Sequence, residues 1–147
     1  MGFLGDMLNH AAGAVGELGR IYRTSLREEK NLTDEQRQQI ANLIQRADAG
    51  DVDAMVTLAL SYYEGTVLHY DPQAARDWWT KAAEAGHVES MYNLGLLYRG
   101  DLSEHFYNDE LAVYWLNEAS SRGFQEAWDA LNEAFKYSNF RQKWVRK

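Results

Sequence analysis

Three glycines set the frame of this chain. Gly50, Gly86 and Gly123 each end a helical pattern, and they lie 36 and 37 residues apart. Other positions keep the same offset: Leu58, Leu94 and Leu131; Tyr62, Tyr98 and Phe135; Trp78 and Trp115; Ala75 and Ala112; Ala82 and Ala119. A self-similar period of this length marks a repeat architecture. Two short helices joined by a tight turn cannot bury their apolar faces alone, so each pair stacks on copies of itself. Small residues such as Ala54, Ala59, Ala82, Ala83, Gly95 and Ala119 admit a close helix approach. Leu58, Tyr62, Trp78, Leu94, Tyr98 and Trp115 fill the space between.

The best-preserved copy runs from Asp71 to Tyr98, DPQAARDWWTKAAEAGHVESMYNLGLLY. With the loop before it, it carries Gly65, Val67, Asp71, Ala75, Trp78, Trp79, Lys81, Ala82, Ala83, Gly86, Leu94, Gly95 and Tyr98. This series resembles the Sel-one-like repeat family, a cousin of the tetratricopeptide repeat. The likeness covers about Ala47 to Phe135. The next copy departs from the pattern: Asn108 replaces the Asp, Trp115 and Leu116 stand for the Trp-Tyr pair, and Asp101–His105 replaces the glycine loop. The resemblance implies an all-α fold, a short right-handed α-solenoid of about two and a half helix–turn–helix repeats with terminal capping helices. For function it implies a scaffold that binds other proteins or peptides.

Three regions follow from the pattern. Residues 1–30 hold a glycine-rich amphipathic helix and a charged linker. In it Leu4, Leu8, Ala11, Val15, Leu18 and Tyr22 recur at alternating steps of four and three, a heptad-like seam. This segment is expected to cap the first repeat, with self-association through residues 3–29 or a membrane-surface role as the alternatives. It lacks the basic start and clean apolar run of a secretory signal. Residues 31–137 form the repeat domain. Thr33 and Gln36 read as a capping box, and Asp71-Pro72 and Asn108 read as helix starts. The third repeat has only its first helix, about Gln125 to Tyr137. Residues 138–147 form a basic tail, read as a cap or a frayed helix end.

Charge narrows the partners. Residues 31–135 hold 18 acidic and 6 basic side chains, whereas residues 136–147 hold five basic ones and no acid. An acidic body excludes a phosphate-binding face, so nucleic acid is not an expected partner. No apolar run is long enough for a transmembrane helix. The absence of cysteine excludes thiolate metal sites and leans towards a cytoplasmic protein. His10, His69, His87 and His105 show no ligand spacing and read as exposed turn residues; no nucleophile, phosphate or dinucleotide motif is present. Neither an enzyme nor a cofactor is expected.

In tetratricopeptide-like solenoids the first helix of each pair lines the concave side. Taking the register from Leu58 and Leu94, Val56, Leu60, Tyr63, Tyr92 and Leu96 face the groove. Glu64, Glu89, Arg99, Glu126, Asp129 and Glu133 are placed around them, with Asp53. An apolar strip with an acidic rim suits a basic, amphipathic helix or peptide. Two narrower readings stand beside the adaptor: a bacterial immunity or regulatory protein that neutralises one dedicated partner, and an assembly protein acting through its N-terminal helix.

Overall fold

The computed structural model describes residues 32–138 and 143–147. The heptad-like helix expected over residues 3–29 lies outside them. The described residues fall into two compact units, one ending at Ala85 and the other starting at Gly86.

The first unit contains α1 (Asp34–Asp48), α2 (Val52–Glu64) and α3 (Pro72–Glu84). Thr33 starts α1 with the capping box its sequence promised: Gln36 N–H donates to Thr33 Oγ1 at 3.1 Å, and Thr33 N–H donates to Gln36 Oε1 at 2.9 Å. Asp51 starts α2, accepting from Ala54 N–H at 3.1 Å, while Arg46 Nε donates to the same carboxylate at 2.8 Å. One side chain therefore closes the turn between α1 and α2. Asp71 caps α3 by accepting from Ala74 N–H at 3.0 Å, with Pro72 at the first helical position. Ile40, Ile44, Leu58, Tyr62, Trp78 and Trp79 are buried, with alanines between them.

The second unit contains α4 (Val88–Arg99), a 3-10 turn (Glu104–Phe106), α5 (Asp109–Ser121) and α6 (Gln125–Ala134). It ends in an antiparallel hairpin of β1 (Phe135–Ser138) and β2 (Lys143–Arg146). Leu94, Leu97, Trp115, Leu116, Leu131 and Phe135 are buried. Gly95 of α4 sits close against Leu116 of α5. A Cβ there would lie 2.5 Å from Leu116 Cγ, so only glycine fits.

The repeat is visible in the backbone. Asp71 N–H donates to Tyr62 O at 2.9 Å, and Asn108 N–H donates to Tyr98 O at 2.8 Å. The two bonds join equivalent positions, so the replaced loop of the second copy returns to the same anchor. Gly50, Gly86 and Gly123 adopt φ of 97°, 96° and 87°. That left-handed conformation ends a helix at little cost only for glycine.

Three expectations are corrected. The helix placed over Gln125–Tyr137 stops at Ala134, because Phe135 turns extended (φ −127°, ψ 159°) and begins β1. The tail read as a cap or frayed helix end is, over Lys143–Arg146, a strand paired with it, Phe135 opposite Arg146. His87 is not a simple exposed turn residue. It is half-buried at the N-cap of α4, where its Nδ1 accepts from Ser90 N–H at 3.2 Å. His69 and His105 are exposed, as read; His10 lies outside the described residues.

Candidate functional site

On α4, Glu89, Tyr92, Leu96 and Arg99 follow one another at steps of three, four and three, which places them on one stripe of a helix. On α6, Glu126, Asp129, Ala130 and Glu133 form a second stripe. Within the second unit these stripes meet. A cleft of about 390 Å³ is lined by Tyr92, Arg99, Glu126, Asp129, Ala130 and Glu133. Five of the residues expected to bind a partner thus come together. Leu96 is half-buried and Glu89 exposed, both on the α4 stripe but not in the cleft wall.

Arg99 frames the cleft. Its Nη1 donates to Ala130 O at 2.9 Å and to Glu133 Oε2 at 3.1 Å, and its Nε donates to Asp101 at 2.6 Å. Burial lowers the Arg99 pKa, but the hydrogen bonds and charges of Asp101 and then Glu133 more than reverse this and raise it. The guanidinium is therefore a fixed cation that ties the end of α4 to α6. Tyr92 is half-buried against Phe124, ring centroids 5.1 Å apart. Asp129 accepts from Gln125 Nε2 at 3.1 Å. Among the described residues, neither Glu126 nor Asp129 meets a cation.

In the first unit the equivalent stripe on α2 is Asp53, Val56, Leu60 and Tyr63. Val56 is half-buried, Leu60 is 39 % exposed, and Glu64 is exposed beside them. Tyr63 is engaged within the unit: its ring lies 5.4 Å from Trp79 and 6.4 Å from Tyr70. It acts as a cover for Trp79 more than as a free anchor.

The sequence reading missed Phe124, Ala130 and Asp101. Ala130 was recoverable, since it follows Glu126 by four residues on a helix. Phe124 occupies the helix-start position that His87 holds one repeat earlier, a site where a cap and not a ring is expected. Asp101 belongs to the segment that replaces the family's glycine loop, so no period marked it.

A model of the Sel1 repeat matches residues 52–87 and residues 88–124. The chain belongs to the Sel1 repeat family. No curated protein and no solved structure matches it. Each matched Sel1 repeat supplies one helix pair, α2 with α3 and α4 with α5, and the junction between repeats nearly coincides with the junction between units. The fold is accordingly the all-α helical-repeat class of Sel1 proteins, with a terminal hairpin added. Sel1 repeats are generally protein-interaction modules; the α4 side of the cleft lies within the second matched repeat, whereas its α6 side follows the last matched residue. No helix among the described residues is long and apolar enough to cross a membrane.

Proposed function

We propose that this Sel1 repeat chain is an adaptor that binds a partner protein or peptide through the α4–α6 groove of its second unit. The observation that carries the reading is the convergence of two helix stripes on one open cleft, with the floor fixed by Arg99 and an aromatic ring, Tyr92, in the wall. Tyrosine supplies contact area at a low entropic cost and is enriched where interfaces gain most of their energy. Preorganisation by Arg99 lowers the ordering cost of association.

The test is affinity capture from the native cell extract, comparing the intact chain with Tyr92→Ala and reading retained proteins by mass spectrometry. A partner held by the intact chain and lost by the variant supports the groove. Equal retention by both removes the groove from the binding site.

A further inference from the structure

The groove's chemistry names its occupant, an inference that rests on the adaptor reading above. Its apolar part is Ala130 and the ring of Tyr92, which is tilted against Phe124 outside the cleft lining. Its α6 bank is acidic. Glu126, Asp129 and Glu133 recur at steps of three and four on the side of α6 that lines the cleft. Arg99 consumes part of this charge, because it pairs with both Asp101 and Glu133. Glu126 and Asp129 are left without a cation among the described residues. Acidic groups on a rigid bank beside an aromatic strip attract a partner of opposite charge, raise its rate of arrival and set its register.

Spacing chooses between partner conformations. Seven residues of α6 separate Glu126 from Glu133, a rise of about 10 Å. A helix laid along α6 places basic residues at the same steps of three and four, all on one face. An extended strand advances about 6.6 Å for each pair of residues on one face, which overshoots the rise of about 4.5 Å between Glu126 and Asp129, the two carboxylates that Arg99 leaves available. We infer that the groove docks an amphipathic helix of a partner protein, its apolar ridge on Tyr92 and Ala130 and a flanking row of lysine or arginine on Glu126 and Asp129.

The experiment uses the full chain and a fluorescein-labelled peptide of about 15 leucines and lysines patterned as an amphipathic helix. Two control peptides accompany it, one with every lysine replaced by glutamate and one with a central proline. Binding is read by fluorescence anisotropy. The lysine peptide is expected to bind, with affinity falling about tenfold when salt rises from about 50 to about 200 mM. Glu126→Gln/Asp129→Asn, at two exposed sites that leave the core untouched, is expected to weaken it about tenfold more. The glutamate and proline peptides are expected to fail. Equal binding by the double variant, or equal binding of the proline peptide, overturns the inference; the latter points to an extended ligand. A chain that ignores the lysine peptide and instead sediments as a dimer assigns the groove to a second copy and also overturns it. The capture experiment separates this failure from failure of the adaptor reading. A partner lost on Tyr92→Ala but kept by the double carboxamide variant leaves the groove in use and its proposed basic occupant wrong.

Discussion

The two units are built on the same repeat and differ in what they do with it. In the first unit, the register positions on the outward stripe of α2 are Val56, Leu60 and Tyr63. The matching positions on α4 are Tyr92, Leu96 and Arg99, and those on α6 are Asp129 and Glu133, the third falling on Lys136 in β1. The same backbone period therefore carries a stripe that turns from apolar to charged. Inside, the pairing is also exchanged. Ala59 and Trp79 of the first unit correspond to Gly95 and Leu116 of the second. All four positions are buried. A repeat fixes where a side chain points, and leaves open what chemistry it brings there.

The largest expected effect sits at this exchanged pair. Trp79 is 1 % exposed, and its ring is covered by Tyr63. Trp79→Ala should cost about 3–5 kcal/mol, and Leu116→Ala somewhat less, since a smaller volume is deleted. Urea unfolding followed by circular dichroism, with hydrogen exchange to locate the loss, separates the units. If both variants weaken the same amides equally, the two cores are not distinct.

Next comes the glycine. In an exposed helix Gly→Ala gains about 1 kcal/mol. At Gly95 the new Cβ would meet Leu116 Cγ at 2.5 Å and Cδ2 at 2.6 Å, and overpacking of this kind costs about 1–3 kcal/mol. Gly95→Ala should therefore destabilise the second unit, while the reciprocal Ala59→Gly in the first should cost about 1 kcal/mol through chain entropy. Thermal melts of the pair decide it: a stabilised Gly95→Ala would mean that α4 and α5 have room to spare.

These residues also show how much was legible beforehand. The 36- and 37-residue period predicted the helix pairs and the burial of Trp78 and Leu94, and local chemistry predicted the capping residues Thr33, Asp71 and Asn108. Phe135 keeps the offset of Tyr62, and both are 1 % exposed. The shared offset did not extend to the backbone, since the helix expected to reach Tyr137 ends at Ala134. Nothing in a period says where repetition stops, and the third copy ends one residue before Phe135. An alternation was present in Phe135-Lys136-Tyr137, the two-residue rhythm of strands, but the helical period overshadowed it, and Lys143-Trp144-Val145-Arg146 does not alternate. In the groove, five of the eleven residues expected to bind a partner line one cleft, since helix spacing alone aligns them. Arg99's partnership with Asp101 was invisible, because it depends on how a non-repeating segment folds back.

A third, smaller effect tests that non-repeating part of the second unit. Isolated two-stranded hairpins are marginal in water, so β1 and β2 need anchors. Arg146 supplies one. Its Nε and Nη2 donate to Asp109 Oδ1 at 2.8 and 2.6 Å, and its guanidinium lies 5.0 Å from the Tyr107 ring and 4.9 Å from the Phe135 ring. The hydrogen bond to Asp109 chiefly raises the Arg146 pKa, against a lowering by burial. Trp144 adds an edge-to-face contact with Trp128 at 5.9 Å. Both Arg146 and Asp109 are partly exposed, so screening limits their pairing. Arg146→Ala should cost about 1 kcal/mol from the ion pair and ring contacts together. The loss should appear as faster hydrogen exchange at the hairpin amides, with the first unit unchanged. Unchanged hairpin exchange would shift the anchoring role to the Trp128–Trp144 contact.

The smallest effect lies in the first unit and depends on pH. Asp51 accepts from Ala54 N–H and, next in importance, from Arg46, and both lower its pKa below the ordinary aspartate range. As pH falls through that range the unfolded chain takes up its proton first. Its uptake pulls the equilibrium towards unfolding. Asp51 thus contributes stability that is complete above about pH 4 and is lost as pH drops through the lower folded value. Glu84 of the same unit acts in the opposite sense: burial raises its pKa, with Lys81 opposing, so acidification towards the ordinary glutamate range relieves a cost. A melt of the intact chain against pH sums the two. Asp51→Asn keeps a good N-cap acceptor and removes only the titration. Its melting temperature should lie slightly below that of the intact chain at neutral pH and should fall less steeply between pH values of about 5 and about 3. Parallel curves for the two proteins would show that the carboxylate caps α2 without any charge-dependent share in holding the turn closed.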